Sequence, residues 1–560
     1  MPSRSRWQLS PPALSIPTFM FESPTSNINA VDKVIIDAKR PNTHYLTIYS
    51  YREWSKRFAA GLKSAGLVDG ERVLLFSANT MFYPVAVMGS LMAGAIYNSA
   101  NPAYTARELS HQLRNSDPRI VLAASNCIDR ALEAADIVGF DKSRIFLFAE
   151  LPMDHSISIP EPASSCNAPH WARLIANPDV GRRFDWEERN TTQFSERTAI
   201  LIYSSGTTGL PKGVELSHRS VIANILQLKM IHMSDSTIKV RRSLCAVPMY
   251  HALGLCYYNF TAPKWGLETY LMERFSLADM LDHIQRFKIS ELVLVPPMLV
   301  AMAKHPSVRD GTFDVSSVRK VLAGAAPIGM EVTQQFEELW HGQLKVRQAW
   351  GMSETPAITL CWDESQSSGP SSISIGELVP GAEAKLVKED GDEETRPGQT
   401  GEFWVRSPNA MTGYWRNPKA TAETFSSDGW LKSGDIAYRD EVGKWYMVDR
   451  KKELIKVKGV AVAPAELEAL LLEHSEIVDA AVIGIKTATD DEQPRAYVVR
   501  KLASRINEED VVNFVKTRVS TIKHLTGGAA FIDSIPKNPS GKILRRQLRE
   551  LAAKETGSKL

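Results

Sequence analysis

The chain has 560 residues, of which 44% are hydrophobic and 23% charged. These are ordinary globular proportions, so disorder, collagen-like repeats and a coiled coil are excluded as the main state. A formal net charge of +2 supplies no global field for nucleic acid or acidic lipid.

At ~150 residues per domain the length predicts three or four domains or subdomains, or one large α/β unit with a small one. In chain order, Met1–Glu22 lacks the apolar core of a signal peptide. The Ser/Pro-rich run Ser10–Pro17 reads as a loose tail. Val73 to Ala106 is uncharged but broken by Pro84, Gly89, Gly94 and Pro102, which predicts a buried strand–helix segment rather than a membrane span. Short apolar runs at Arg72–Phe76, Ile120–Ala124, Ile145–Phe148 and Leu292–Val295 predict strands of a helix-covered parallel sheet. Pro152–Pro169 reads as a surface insertion. Gly376 to Val405 alternates around a turn-rich centre and predicts antiparallel hairpins. An amphipathic helix is predicted from Pro464 through Glu466–Leu472, with Pro at an early helical position. A boundary at Asp449-Arg450-Lys451-Lys452 divides the chain into residues 1–449 and a small α+β unit, 450–560. The five cysteines are widely spaced and include no C-x-x-C, which argues for a reducing compartment and against a disulfide framework or zinc site.

The densest motif follows the apolar strand Ala199–Ile202. It reads Tyr203-Ser204-Ser205-Gly206-Thr207-Thr208-Gly209-Leu210-Pro211-Lys212-Gly213. Hydroxyls, glycine amides and one lysine are what a polyphosphate needs: N–H and O–H groups donate to its oxygens and Lys offsets its charge. The glycine spacing is not that of a Walker loop. Further along come Val247-Pro-Met-Tyr-His251-Ala-Leu253-Gly254, Val321-Leu-Ala-Gly324-Ala325-Ala326-Pro327, Gln348-Ala349-Trp350-Gly351-Met352-Ser353-Glu354, Gly429–Asp435, Val448–Gly459 and Ile535–Arg546.

Together, in this order, these motifs resemble those of the adenylate-forming superfamily, from roughly residue 45 to the C-terminus. The likeness is strongest to 4-coumarate–CoA ligase and related peroxisomal acyl- and aryl-CoA ligases. It implies a large N-terminal domain of helix-covered, mostly parallel sheets with a small β-barrel-like subdomain, followed by a mobile α+β C-terminal domain. It also implies ATP, Mg²⁺ and coenzyme A as partners of the reaction. By the resemblance, Ser204, Ser205, Gly206, Thr207, Thr208, Gly209 and Lys212 wrap the ATP phosphates. Gln348, Trp350, Gly351 and Ser353 line the nucleotide, with Trp350 stacking on adenine. Glu354 holds Mg²⁺. Asp435 and Arg450 contact the ribose, and Lys452 is the hinge. His251 lies beside the carboxylate being activated. Leu253, Tyr257, Gly324, Ala325 and Ala349 border the acyl group. Arg274, Lys458 and Gly459 serve CoA, Lys456 faces the adenylate or thioester, and Lys542 stabilises charge as pyrophosphate leaves. Ala349 stands where the family often has Gly, Pro356-Ala357 replaces a usual Gly-Pro, and Val460-Ala461 replaces an aromatic and Gln.

The implied reaction activates a carboxylic acid as acyl-AMP and passes it to CoA. The alternative is transfer to a carrier protein or another non-CoA acceptor. The chain ends in Ser558-Lys559-Leu560, which reads as an address for the peroxisomal import receptor. No nucleic acid and no membrane span is expected.

Overall fold

The structure is a computed structural model describing residues 2–23, 29–153, 168–204, 210–232, 241–324, 326, 328–366, 370–457, 460–486, 492–538 and 541–556. Two seven-stranded sheets organise the large unit. In one, strands Ile145–Phe148, Ile120–Ala124, Arg72–Phe76, Ile96–Ala100 and Thr198–Ser204 run parallel, and Lys212–Ser217 and Gly413–Tyr414 add antiparallel at one edge. In the other, Val346–Gln348, Lys320–Ala323, Glu291–Leu294, Arg242–Cys245, Glu268–Leu271 and Lys33–Asp37 run parallel, and Tyr45–Thr47 closes the edge antiparallel. The expected strand at 292–295 is therefore displaced by one residue.

The uncharged stretch is strand Arg72–Phe76, helix Tyr83–Met92 and strand Ile96–Ala100, almost wholly buried. Helix Ile48–Ser64 packs on that central helix. It starts with a capping box between Thr47 and Ser50. Trp54, Phe58, Phe82 and Trp171 meet edge to face beneath it, with centroids 5.3–5.7 Å apart. Among the described residues, no helix is long and apolar enough to cross a membrane. Cys127, Cys245, Cys256 and Cys361 are buried free thiols, and Cys166 lies outside the described residues.

The hairpins expected after Gly376 form a six-stranded antiparallel sheet built on Glu383–Val387, Gly401–Arg406, Leu431–Arg439 and Trp445–Arg450. Beyond it, a three-stranded sheet (Ile477–Lys486, Glu492–Arg500, Ala529–Phe531) has its own core of Val482, Ala496 and Val498. Helix Pro464–Leu472 covers that core with Leu467 and Leu471. Helix Arg545–Thr556 covers the other face with Leu548 and Ala552. Most of Pro152–Pro169 lies outside the described residues.

The N-terminal segment corrects the reading of Ser10–Pro17 as a loose tail. Ser3–Arg4 pairs antiparallel with Glu383–Ala384. Ser15 caps helix Ile16–Phe21, whose Ile16, Phe19 and Met20 are buried. The i, i+3, i+4 apolar spacing and a proline at the start outweigh the Ser/Pro composition. Ser15 N–H donates to Glu188 Oε2 at 2.9 Å, and Ile16 N–H donates to His218 Nδ1 at 3.1 Å. That bond needs a neutral imidazole, and burial pushes the His218 pKa down to about 4. His218 therefore stays neutral in the fold while the unfolded chain takes a proton below pH 6.5. Stability is full above that pH and falls as pH drops towards 4, by up to about 1.4 kcal/mol per unit. Denaturant unfolding at stepped pH should show a shallower acid loss in His218→Asn than in the wild type; equal slopes would contradict this account.

Candidate active site

The C-terminal ends of the parallel strands converge on one region, as open α/β sheets place their sites. Ser204 ends one strand, and Ala323 and Gln348 end two others in direct register. That register sets Gly324 against Ala349. Gly324 N–H donates to Leu294 O at 3.1 Å, and a Cβ on Gly324 would lie 3.3 Å from Ala349 O. The Gln348 amide bridges both backbone groups of Ile328, at 3.1 and 2.9 Å, and so fixes the loop that begins at Gly324. Gly351 allows the hairpin Trp350–Met352 to close on Thr355–Cys361, because a Cβ there would sit 2.2 Å from Ala357 O.

Asp435 and Arg450 lie opposite each other in an antiparallel pair. Cross-strand partners share a face, so the guanidinium meets the carboxylate, Nε to Oδ1, at 3.5 Å. Trp350 Nε1–H donates to Oδ2 at 2.8 Å. The Trp350 ring stands edge to face on Phe403, centroids 5.0 Å apart. Asp435 is buried, which raises its pKa, while Arg450, Trp350 and Lys542 oppose the rise. A carboxylate so held keeps lone pairs for a diol.

Lys542 reaches the same place from the small unit. Its turn is closed by Asn538 N–H to Lys542 O at 2.9 Å, Gly541 N–H to Asn538 O at 2.8 Å, and Lys542 N–H to Asn538 Oδ1 at 2.9 Å. Burial, then Arg450, lowers the ammonium to about 8, while Glu453 and Asp435 hold it up and Arg545 lowers it further. A half-buried cation near an Asp–Arg pair suits a ligand that brings several negative charges.

Glu354 is buried. Its Oε1 accepts from Tyr414 O–H at 2.8 Å and Ser204 O–H at 3.4 Å. Lys212 Nζ lies 4.9 Å over the Tyr414 ring. A single carboxylate beside Ser204, the strand end that leads into the hydroxyl- and glycine-rich motif, fits Mg²⁺, which takes one or two protein carboxylates and completes its shell with phosphate oxygens and water. Ser353 is half-buried beside it.

His251 precedes helix Ala252–Cys256, with the Tyr250 ring at 4.5 Å. Its Nε2 is buried without a hydrogen-bond partner among the described residues, and burial lowers its pKa to about 4. A neutral imidazole with an unpaired buried nitrogen is costly to the fold. Gly254 is required there: a Cβ would lie 2.0 Å from Pro248 O. Leu253 on that helix is half-buried, and Tyr257, which opens the π-helical turn Tyr257–Thr261 that follows, is fully buried.

Other expected positions are not gathered in. Arg274 is exposed beyond strand Glu268–Leu271. Lys452 is exposed just after strand Trp445–Arg450. Lys456 is exposed on the hairpin Ile455–Val457/Val460–Val462. Ser205, Gly206, Thr207, Thr208, Gly209, Ala325, Lys458, Gly459 and the terminal Ser558-Lys559-Leu560 lie outside the described residues. Sequence reasoning missed Tyr414. Its signal was weak, a Gly-Tyr pair outside any quoted motif; tertiary contacts bring it to Glu354, the pairing of Gly413–Tyr414 with Val214–Glu215 and the Met411 N–H that donates to Glu354 O at 2.7 Å. It also missed Glu453, which pairs with Arg549 at 2.8 Å and whose charge favours the protonated Lys542.

Comparison with known proteins agrees with this geometry. Residues 27–415 match the AMP-binding enzyme family and residues 466–542 match the AMP-binding enzyme C-terminal domain. The chain belongs to the AMP-binding enzymes. It is 35% identical over 500 residues to the phenylacetyl-CoA ligase epaB of Aspergillus niger, covering 88% of this chain and 89% of that one. It is 36% identical over 497 residues to the peroxisomal OPC-8:0-CoA ligase 1 of Arabidopsis thaliana, covering 88% and 86%. Among solved structures, the anthranilate CoA ligase AuaEII in complex with anthranoyl-AMP superposes with a TM-score of 0.81 at 20% identity, covering 97% and 98%.

The Tyr414–Glu354 bond is testable without turnover. A hydrogen bond to a charged group is worth about 1.5–3 kcal/mol. A double-mutant cycle of Tyr414→Phe and Glu354→Ala, read by denaturant unfolding, should show coupling of about 1.5 kcal/mol or more. Coupling near zero would contradict the bond.

Proposed function

We propose that this protein joins a carboxylic acid to coenzyme A through an acyl-adenylate, and that residues 1–449 and 450–560 are its two working domains. The chain is an AMP-forming acid–thiol ligase in reaction class. A carboxylate oxygen attacks the ATP α-phosphorus, and the bond to the β-phosphate bridging oxygen breaks, releasing pyrophosphate. The CoA thiolate then attacks the acyl carbon, and AMP leaves with the electron pair of the acyl–oxygen bond. One observation carries this reading: Lys542 of the small unit comes close enough to the Asp435–Arg450 cross-strand pair of the antiparallel sheet to feel both charges.

In this reading Asp435 accepts from the ribose hydroxyls, with Arg450 and Trp350 holding its two oxygens. Lys542 lies where carboxylate and α-phosphate meet and offsets charge as the phosphate bond breaks. Mg²⁺ at Glu354 would offset phosphate charge, and the Tyr414 hydroxyl orients that carboxylate. The neutral His251 closes the carboxylate side, with Leu253, Tyr257, Gly324 and Ala349 along the acyl group. The second step uses another orientation of the small domain about Lys452, in which Lys456, Lys458, Gly459 and Arg274 serve CoA. Ser558-Lys559-Leu560 would direct the protein to peroxisomes; the peroxisomal relative from Arabidopsis supports that placement. The phenylacetyl-CoA ligase relative supports an aryl acid.

The test offers the purified protein ATP, Mg²⁺, CoA and a panel of phenylacetic, cinnamic, medium-chain and long-chain acids, with products read by mass. The expected result is a thioester and AMP. Lys542→Ala should lose roughly two to three orders of magnitude in adenylate formation, as loss of one charge-stabilising donor does, yet still convert preformed acyl-adenylate to thioester. Pyrophosphate release without any thioester would favour a non-CoA acceptor, and equal loss in both steps would reject the role given to Lys542.

A further inference from the structure

Helix Pro296–Lys304 belongs to the large unit and matches none of the motifs. It touches the small unit at both ends. At its start, a Cβ on Gly541 would lie 2.9 Å from Pro297 Cδ and 3.5 Å from Val295 Cγ2. Gly541 adopts φ +84°, so this turn is closed to side chains both by backbone and by contact. Gly541 precedes Lys542, so the helix start abuts the turn that carries the reactive ammonium.

At the other end, Lys304 Nζ donates to Ile477 O at 2.9 Å. Ile477 begins the long strand Ile477–Lys486 of the small unit. Asp479 of that strand pairs with Lys537 Nζ at 2.6 Å, and Lys537 bridges to Ile543 across the Lys542 turn. The strand held by Lys304 is thus the strand that holds the turn. Asp479 and Lys501 are the charged groups of the small unit facing Lys304. Lys304 is half-buried, and among the described residues its ammonium has no hydrogen-bond acceptor in its own domain. Rotation of the small domain breaks the bond and forces the ammonium to be solvated anew, so the contact favours this orientation over any other.

We propose that Lys304 is a positioning residue for acid activation, clasping the small domain through the Ile477 carbonyl so that the Lys542 turn stays seated against Pro297. The proposal rests on the reading of the protein as a two-step ligase.

The test uses full-length Lys304→Met, which keeps the stem and removes the donor. Acid-dependent exchange of pyrophosphate into ATP should slow about tenfold in kcat with little change in the KM for ATP. Transfer of the same acid from preformed adenylate to CoA should be unchanged or faster. Lys304→Arg, which keeps a donor, should retain most of the exchange rate. In nucleotide-free protein, amide hydrogen exchange across residues 449–457 and 464–472 should quicken in Lys304→Met and not in Lys304→Arg. Unchanged pyrophosphate exchange, or equal loss in both half-reactions, would overturn the clasp. Wild-type protein inactive towards every acid in the panel would count against the ligase reading instead, and amide exchange would then decide the clasp: unchanged protection would overturn it.

Discussion

The site depends on one cross-strand pair. Asp435 and Arg450 face each other because strands Leu431–Arg439 and Trp445–Arg450 pair antiparallel in this register. A slip of one residue would turn both side chains to the other face. The buried carboxylate is tolerable because each oxygen has a donor, Arg450 on one and the Trp350 indole on the other. Trp350 comes from the hairpin that follows a strand of the second parallel sheet, so the pair also ties the antiparallel subdomain to the α/β core. Lys542 then completes the cluster from a third body. Residues from the α/β core, the antiparallel sheet that shares its core, and the small unit gather around one carboxylate.

Close backbone approach is the other recurring constraint. Gly254 and Gly351 sit where a Cβ would strike a carbonyl at 2.0 and 2.2 Å. The first seats the His251 turn, the second the Trp350 hairpin. Ala357 bears the strain at the second place. Its φ is +59°, a left-handed conformation that costs an alanine on the order of 1 kcal/mol. Its carbonyl is the group that Gly351 must clear. The unusual Pro356-Ala357 pair is therefore part of how the wall beside Trp350 is built.

Much of this was legible in the sequence. Short apolar runs such as Arg72–Phe76 matched strands covered on both faces, and the motifs gave the order of Glu354, Asp435, Arg450 and Lys542 along the chain. What was not legible is what needs tertiary register. Tyr414 reaches Glu354 through an edge strand of two residues and the neighbouring Met411 N–H bond to Glu354 O. Lys304 acquires its partner from a residue far along the chain. The N-terminal segment looked loose because Ser and Pro dominate it, yet its apolar spacing buries Ile16, Phe19 and Met20. The motif readings at 205–209 and 458–459 fall outside the described residues and rest on the sequence alone.

The most direct measurement is calorimetric binding of AMP to Asp435→Ala against the wild type, with unfolding followed in parallel. If the Asp435–Arg450–Trp350 cluster is the ribose site, the variant loses at least about tenfold in affinity, the equivalent of one hydrogen bond to a charged group. It should remain folded. Unchanged affinity in a folded Asp435→Ala would contradict the account.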